Sequence, residues 1–183
     1  MIKKQAIIPD YSILKKDEKS FHYIDSFQGQ YLITDHDYTI IEIGRLFLTS
    51  GPKWANYLMS IRDKVVGILG LKTAQQLTVD DRNHDNFRFE PGEQLDIFKL
   101  FSKSENELVL GDDDKHLDFR VSLLLDSKND DKKTRNVIIT TAVKYRNLFG
   151  RIYFIPVRPF HKLIVKGTLE DMINKMENVT IGR

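Results

Sequence analysis

The sequence predicts an α+β fold in which a curved antiparallel β-sheet wraps around a long C-terminal helix, with two shorter helices between the first strand and the later ones. Three observations predict it. Past Gly92 the apolar residues alternate with period two through four segments, Leu95–Ser102, Asn106–Gly111, Leu117–Asp126 and Arg135–Arg146. Their apolar residues gather on one side, the mark of an antiparallel sheet covered on a single face. Arg151–Gly167, RIYFIPVRPFHKLIVKG, is apolar on nearly every side of a helix, as expected of a helix that a curved sheet encloses.

The elements follow in order. Residues 1–20 carry scattered lysines and Pro9 and are expected to form an arm docked through Ile7, Ile8, Tyr11 and Leu14. Phe21–Leu32, rich in aromatics, reads as the first strand. Thr39 and Glu42 have capping-box spacing and open a segment with Ile40, Ile43 and Phe47 at helical intervals. Its β-branched content leaves a strand as the alternative. After Ser50, Gly51 and Pro52 break the chain, Trp54, Leu58, Ile61, Val65 and Ile68 trace one buried helical stripe. Residues 71–92 turn polar and read as a long connection, with one short strand at Gln75–Val79.

In the third late strand Leu117, Phe119, Val121, Leu123 and Leu125 share a face, matched by Val137, Ile139, Thr141, Val143 and Tyr145 in the fourth. Asp118, Arg120, Ser122 and Asp126 point the other way, to solvent. A turn centred on Asp113 and Asp114 sets Leu110 opposite Leu117 and Leu108 opposite Phe119, and puts Glu107 against Arg120 on the wet side. Asp112, Asp113 and Asp114 suit that turn and lack the glycine and closing glutamate of a calcium loop.

Four strands with one apolar face need a cover. Pro156 and Pro159 should kink the covering helix, or mark the start of its regular part. Gly167 should break it, and Thr168–Asp171 should cap a second, short helix bearing Leu169, Met172, Ile173 and Met176. A curved antiparallel sheet around such a helix is the helix-grip arrangement. The 183 residues then divide into an arm, 1–20, a helix-grip domain, 21–177, and a loose tail, 178–183, in a single domain.

Composition narrows the function. The formal net charge is +2, and no basic stripe interleaved with aromatics is present, so a nucleic-acid partner is not expected. The absence of cysteine excludes disulfides, thiolate metal sites and a cysteine nucleophile. No apolar run reaches the length of a membrane span, and Met1–Ile8 is too short for a signal peptide, so a cytoplasmic location is expected. His22, His36, His84, His116 and His161 show no metal-ligand spacing, and no serine lies in a nucleophile elbow. No metal and no cofactor is expected.

The runs Gly51–Asp63 (GPKWANYLMSIRD), Glu105–Arg120 and Phe149–Val165, with Arg158, Pro159, Phe160 and His161 in succession, resemble a bacterial family catalogued as domain of unknown function 2867. The resemblance runs from about Asp25 to Val165. Pro156 departs from it, since an apolar non-proline residue is expected there. That family is similar to the START and pollen-allergen superfamily, whose members enclose an apolar cavity between sheet and long helix and bind lipids, sterols or polyketides. Some act as cyclases or dehydratases. The resemblance brings no catalytic residues with it, and no Gly-rich phosphate loop is present.

The candidate ligand-binding residues are Tyr145, Arg158, His161, Phe119, Thr141 and Trp54. Tyr145 ends the apolar face of the last strand and offers a hydroxyl. Arg158 and His161 lie on the gripped helix, either inward at a pocket mouth or at its rim. Trp54 is a core anchor or a ligand platform. The expected function is to bind a small apolar or amphipathic molecule between sheet and helix. An enzyme of cyclase or dehydratase type, using Tyr145, His161 or Arg158, is the alternative. A protein-interaction module that partners an oxidoreductase through the exposed sheet face is a third.

Overall fold

The computed structural model of the chain describes residues 2–5, 7–33, 36–52, 54, 87–95, 97–126 and 133–178. The elements are β1 (Lys3–Gln5), a 3-10 helix (Ile13–Ser20), β2 (Tyr23–Leu32), α1 (Ile40–Thr49), β3 (Gln94–Leu95), β4 (Phe98–Lys103), β5 (Glu107–Asp113), β6 (Leu117–Leu125), β7 (Thr134–Tyr145) and α2 (Leu148–Asn178). The strands form one curved, open sheet in the order β1-β2-β7-β6-β5-β4-β3, antiparallel throughout. The later strands follow one another as a meander, and β7 returns to lie beside β2. The long helix α2 covers the concave face, so the expected α+β helix-grip architecture is present. Among the described residues no helix is long and apolar enough to cross a membrane.

The first of the two short helices is α1, and the strand alternative for it falls away. The Thr39 hydroxyl accepts from the Glu42 N–H at 3.3 Å, while the Glu42 carboxylate accepts from the Thr39 N–H at 2.8 Å. Burial pushes the Glu42 carboxyl up, but the bonds from Thr39 and His36 outweigh it and hold the group below the ordinary range. Ile40 and Ile43 then enter the core. Thr39→Ala should lower stability by about 1 kcal/mol, and thermal or denaturant unfolding measures it. The second short helix, expected from Trp54 to Ile68, the strand at Gln75–Val79 and the tail beyond Asn178 lie outside the described residues, Trp54 and Asn178 themselves excepted.

Where β5 meets β6, the face is as expected and the register is not. Leu108 and Leu110 face the core, but they pair with Leu123 and Val121, not with Phe119 and Leu117. The displacement is even, so neither leucine changes side. The pattern of period two decides the face. The turn decides the register, and it forms two residues later than expected, with the Asp114 N–H bonded to the Leu117 carbonyl. The expected strand Leu95–Ser102 is likewise two strands, since β3 folds back on β4.

The convex face of the sheet is also covered in part, against the expectation of a single covered side. Ile8 and Leu14 of the N-terminal arm pack on Val109 and Ala142 there. Ile7 and Tyr11, expected to dock, face solvent. Glu107 is only 1% exposed. Its carboxyl group accepts from the Ser12 hydroxyl (2.6 Å), the Ile13 N–H (2.6 Å) and the Ser122 hydroxyl (2.5 Å). Arg120 does not oppose it: it sits over the Phe101 ring and pairs with Asp113 at 2.7 Å.

Helix α2 runs unbroken for 31 residues through Pro156, Pro159 and Gly167, so the expected stop at Gly167 and restart at Thr168 do not occur. A glycine in a helix costs about 1 kcal/mol relative to alanine. Here Pro52 packs against Gly167, and the burial of Thr168, Leu169, Met172 and Met176 around it holds the helix on the sheet. Gly29 of β2 leaves room for that approach, because a Cβ there would lie 2.2 Å from Ile173 and 3.2 Å from Leu169. The half of α2 from Val165 onward is therefore gripped. The half before it is seated on one side only, through Gly150 and Phe154, and Leu148, Ile152, Ile155, Phe160 and Leu163 face outward. The apolar circumference of this stretch does not reflect all-round burial.

Candidate functional site

The seated side of the first half of α2 faces a polar cluster on β2 and β7. In β2 the odd residues Tyr23, Phe27 and Tyr31 belong to the core, and Asp25 stands among them, 1% exposed. Pairing sets Asp25 beside Thr141 and Tyr23 beside Val143. One strand further, β6 places Val121 next to Thr141 and Phe119 next to Val143. The concave face here is thus an apolar floor with a carboxyl and a hydroxyl side by side in it.

Four side chains close over that floor. The Tyr23 hydroxyl donates a short hydrogen bond to Asp25 Oδ2. From α2, His161 brings Nε2 to 3.4 Å from Asp25 Oδ1, an ion-pair distance without hydrogen-bond geometry. The Arg158 guanidinium lies 4.8 Å above the Tyr23 ring. Phe154 packs edge-on against Tyr23 with centroids 4.9 Å apart, and its ring lies 5.8 Å from that of Tyr145. Burial, and then the Asp25 carboxyl, push the Tyr23 phenol well above its usual pKa, with Arg158 opposing weakly. Tyr23 therefore remains a protonated donor at neutral pH. Burial raises the Tyr145 phenol too, against Arg158 and Arg151.

In this layer the buried Thr141 Oγ1 on the sheet makes no hydrogen bond, and His161 Nε2 on the helix has the ion-pair contact with Asp25 alone. Beside the layer, where β7 passes into α2, an open depression of about 510 Å³ is lined by His22, Tyr145, Arg146, Asn147, Leu148 and Arg151. The Tyr145 N–H donates to His22 Nδ1 at 3.0 Å, and the two rings stack 5.2 Å apart. Tyr145 thus belongs both to the depression and to the aromatic wall of the cluster.

Five of the six residues proposed from sequence belong to this concave layer: Thr141 and Phe119 on the floor, Tyr145 at its end, and Arg158 and His161 on the helix above. Trp54 is not gathered with them and is 43% exposed, so it is not the buried anchor that its spacing suggested. Tyr23 and Asp25 were missed. Their signal is an acid at the centre of an otherwise apolar odd-numbered row, Tyr23, Asp25, Phe27, which appears only when β2 is resolved into its two faces. Among the described residues no group of three or more His, Asp or Glu side chains could hold a metal.

Known proteins supply one comparison. Residues 18–168 match the family described as protein of unknown function (DUF2867). No curated protein and no solved structure matches the chain. The match takes in every strand from β2 to β7, α1 and the half of α2 that covers the cluster, well over half the chain, and the chain belongs to this family of proteins of unknown function.

Proposed function

We propose that the domain binds a small amphipathic molecule between the sheet and the first half of α2, with its polar group against His161 and Thr141 and its apolar part along Phe119, Val143 and Phe154. The observation that carries this is the buried Thr141 Oγ1, which makes no hydrogen bond, in a layer where the contact of His161 Nε2 with Asp25 at 3.4 Å also lacks hydrogen-bond geometry. Leaving such a group without a partner costs about 1–3 kcal/mol, and a ligand hydroxyl or carbonyl that reaches Thr141 would recover it. Tyr145 ends this layer and also lines the open depression beside it, which would be the route of entry. A second reading, proton transfer to a bound carbonyl or hydroxyl, draws on His161 facing the buried Asp25 carboxyl, with Tyr23 as a neutral donor.

The two kinds of role separate in one substitution. Thr141→Val removes the unsatisfied hydroxyl and keeps the shape. Stability should hold or rise by about 1 kcal/mol, while affinity for the amphipathic probe anilinonaphthalene sulfonate falls about five- to tenfold. Native mass spectrometry of freshly purified protein should show a retained small molecule that is depleted in the variant. Equal occupancy and equal probe affinity in Thr141→Val and His161→Phe would remove the binding reading.

A further inference from the structure

The outward side of α2 carries a second pattern that the concave layer does not use. Leu148, Ile152, Ile155, Pro159 and Leu163 fall on one line along the helix, opposite the row Phe154, Val165, Thr168, Leu169 and Met172 that meets the sheet. The line is about 22 Å long. Leu148 is 70% exposed and Ile155 is 66% exposed, and Phe160 adds a ring at its border. From Leu148 to Leu169 the helix has no acidic residue, whereas Arg151, Arg158, Lys162 and Lys166 lie within it, Arg158 leaning over Tyr23 and Lys166 3.7 Å from Glu170 in the next turn. From Leu148 to Gly167 it also has no Ser, Thr, Asn or Gln.

We propose that this ridge docks on the surface of an anionic lipid bilayer. Three features choose that occupant. An exposed apolar row with bases along one border is the composition of helices that lie in the membrane interface, where the apolar row enters the headgroup boundary and the bases meet anionic headgroups. A protein partner would be met by a rim with charges of both signs, whereas the stretch from Leu148 to Leu169 carries bases alone. A second copy in antiparallel pairing would bring the basic border of one helix to the basic border of the other, like against like. The prolines set the depth. Pro156 and Pro159 have no N–H for the carbonyls of Ile152 and Ile155, so these ridge carbonyls need water or headgroup donors and belong at headgroup level rather than in hydrocarbon.

The test is flotation of the full chain with vesicles of phosphatidylcholine alone and of phosphatidylcholine with phosphatidylglycerol. The expected result is binding to the mixed vesicles only, weakened by salt. Arg151→Glu should weaken it about fivefold or more, and Ile155→Asp about tenfold or more, both without loss of thermal stability. Absence of binding to either vesicle overturns the proposal. A concentration-dependent dimer that Ile155→Asp abolishes overturns it in favour of a second copy. Destabilisation of the isolated protein by Ile155→Asp overturns it by showing that the chain itself already covers the ridge. An acidic protein that binds the ridge while vesicles do not would do the same. Thr141→Val should leave vesicle binding unchanged, which keeps this result separate from the ligand reading.

Discussion

Glu107→Ala is expected to lower the unfolding free energy by about 4 kcal/mol and to free the N-terminal arm from the sheet. The Glu107 carboxyl accepts three hydrogen bonds at 2.5–2.6 Å, two of them from the arm at Ser12 and Ile13 and one from Ser122 of β6. Ser12 also caps the 3-10 helix, accepting from the Leu14 N–H. Alanine leaves buried donors on both sides of the contact with nothing to accept them, and each such group costs about 1–3 kcal/mol, less than additively. Glu107→Gln keeps the shape and one accepting oxygen, so its loss should be about half as large. Denaturant unfolding gives the two values. Hydrogen exchange at Ile13 and Leu14 should rise in the alanine variant well before the strands open. A variant that is weakened globally, with those amides still protected, would contradict the anchoring role.

Gly150→Ala should cost about 3 kcal/mol and disturb the candidate site as well. Gly150 lies in the first turn of α2, where its N–H donates to Asn147 Oδ1 at 3.0 Å. A Cβ on it would fall 2.0 Å from the His116 carbonyl oxygen, which is backbone and also holds the Arg146 N–H. The helix start must lift off the β5–β6 hairpin to relieve the clash. Phe154 and His161, which follow on the same face, then move away from Tyr23 and Asp25, so probe affinity should fall together with stability. Gly167→Ala is the control. Its Cβ would meet Pro52 at 3.4 Å, an ordinary contact, and alanine favours the helix by about 0.8–1 kcal/mol. It should be neutral or stabilising, with probe affinity unchanged. If Gly150→Ala leaves both stability and probe affinity intact, the height of α2 above the sheet is not set at this point.

Thr39 and Glu42 are a local signal: the two groups that satisfy the helix end are three residues apart, and no distant contact is needed to read them. Gly167 and Thr168 are an equally good local signal for a stop and a cap, and there the tertiary contacts of Pro52 and the burial of Leu169 override it. Glu107 has the pattern of a wet strand residue, because its partners, Ser12 and Ile13, lie some ninety-five positions away in an arm whose docking has no period of its own.

By itself, the sequence determined β2, α1 with its cap and the strands β5 to β7, and which faces of β5, β6 and β7 turn inward. These follow from period, capping and turn chemistry, all of which act over a few residues. Only the tertiary structure decided the register of β5 on β6, the continuity of α2, the burial of Glu107 and the meeting of Tyr23 and Asp25 with His161. It also decided that the greasy stretch before Val165 shows two apolar sides, one on the sheet and one outward. Each of these depends on groups distant along the chain coming together. Hydrophobic pattern reports that a side chain will leave water, but not which distant surface will receive it.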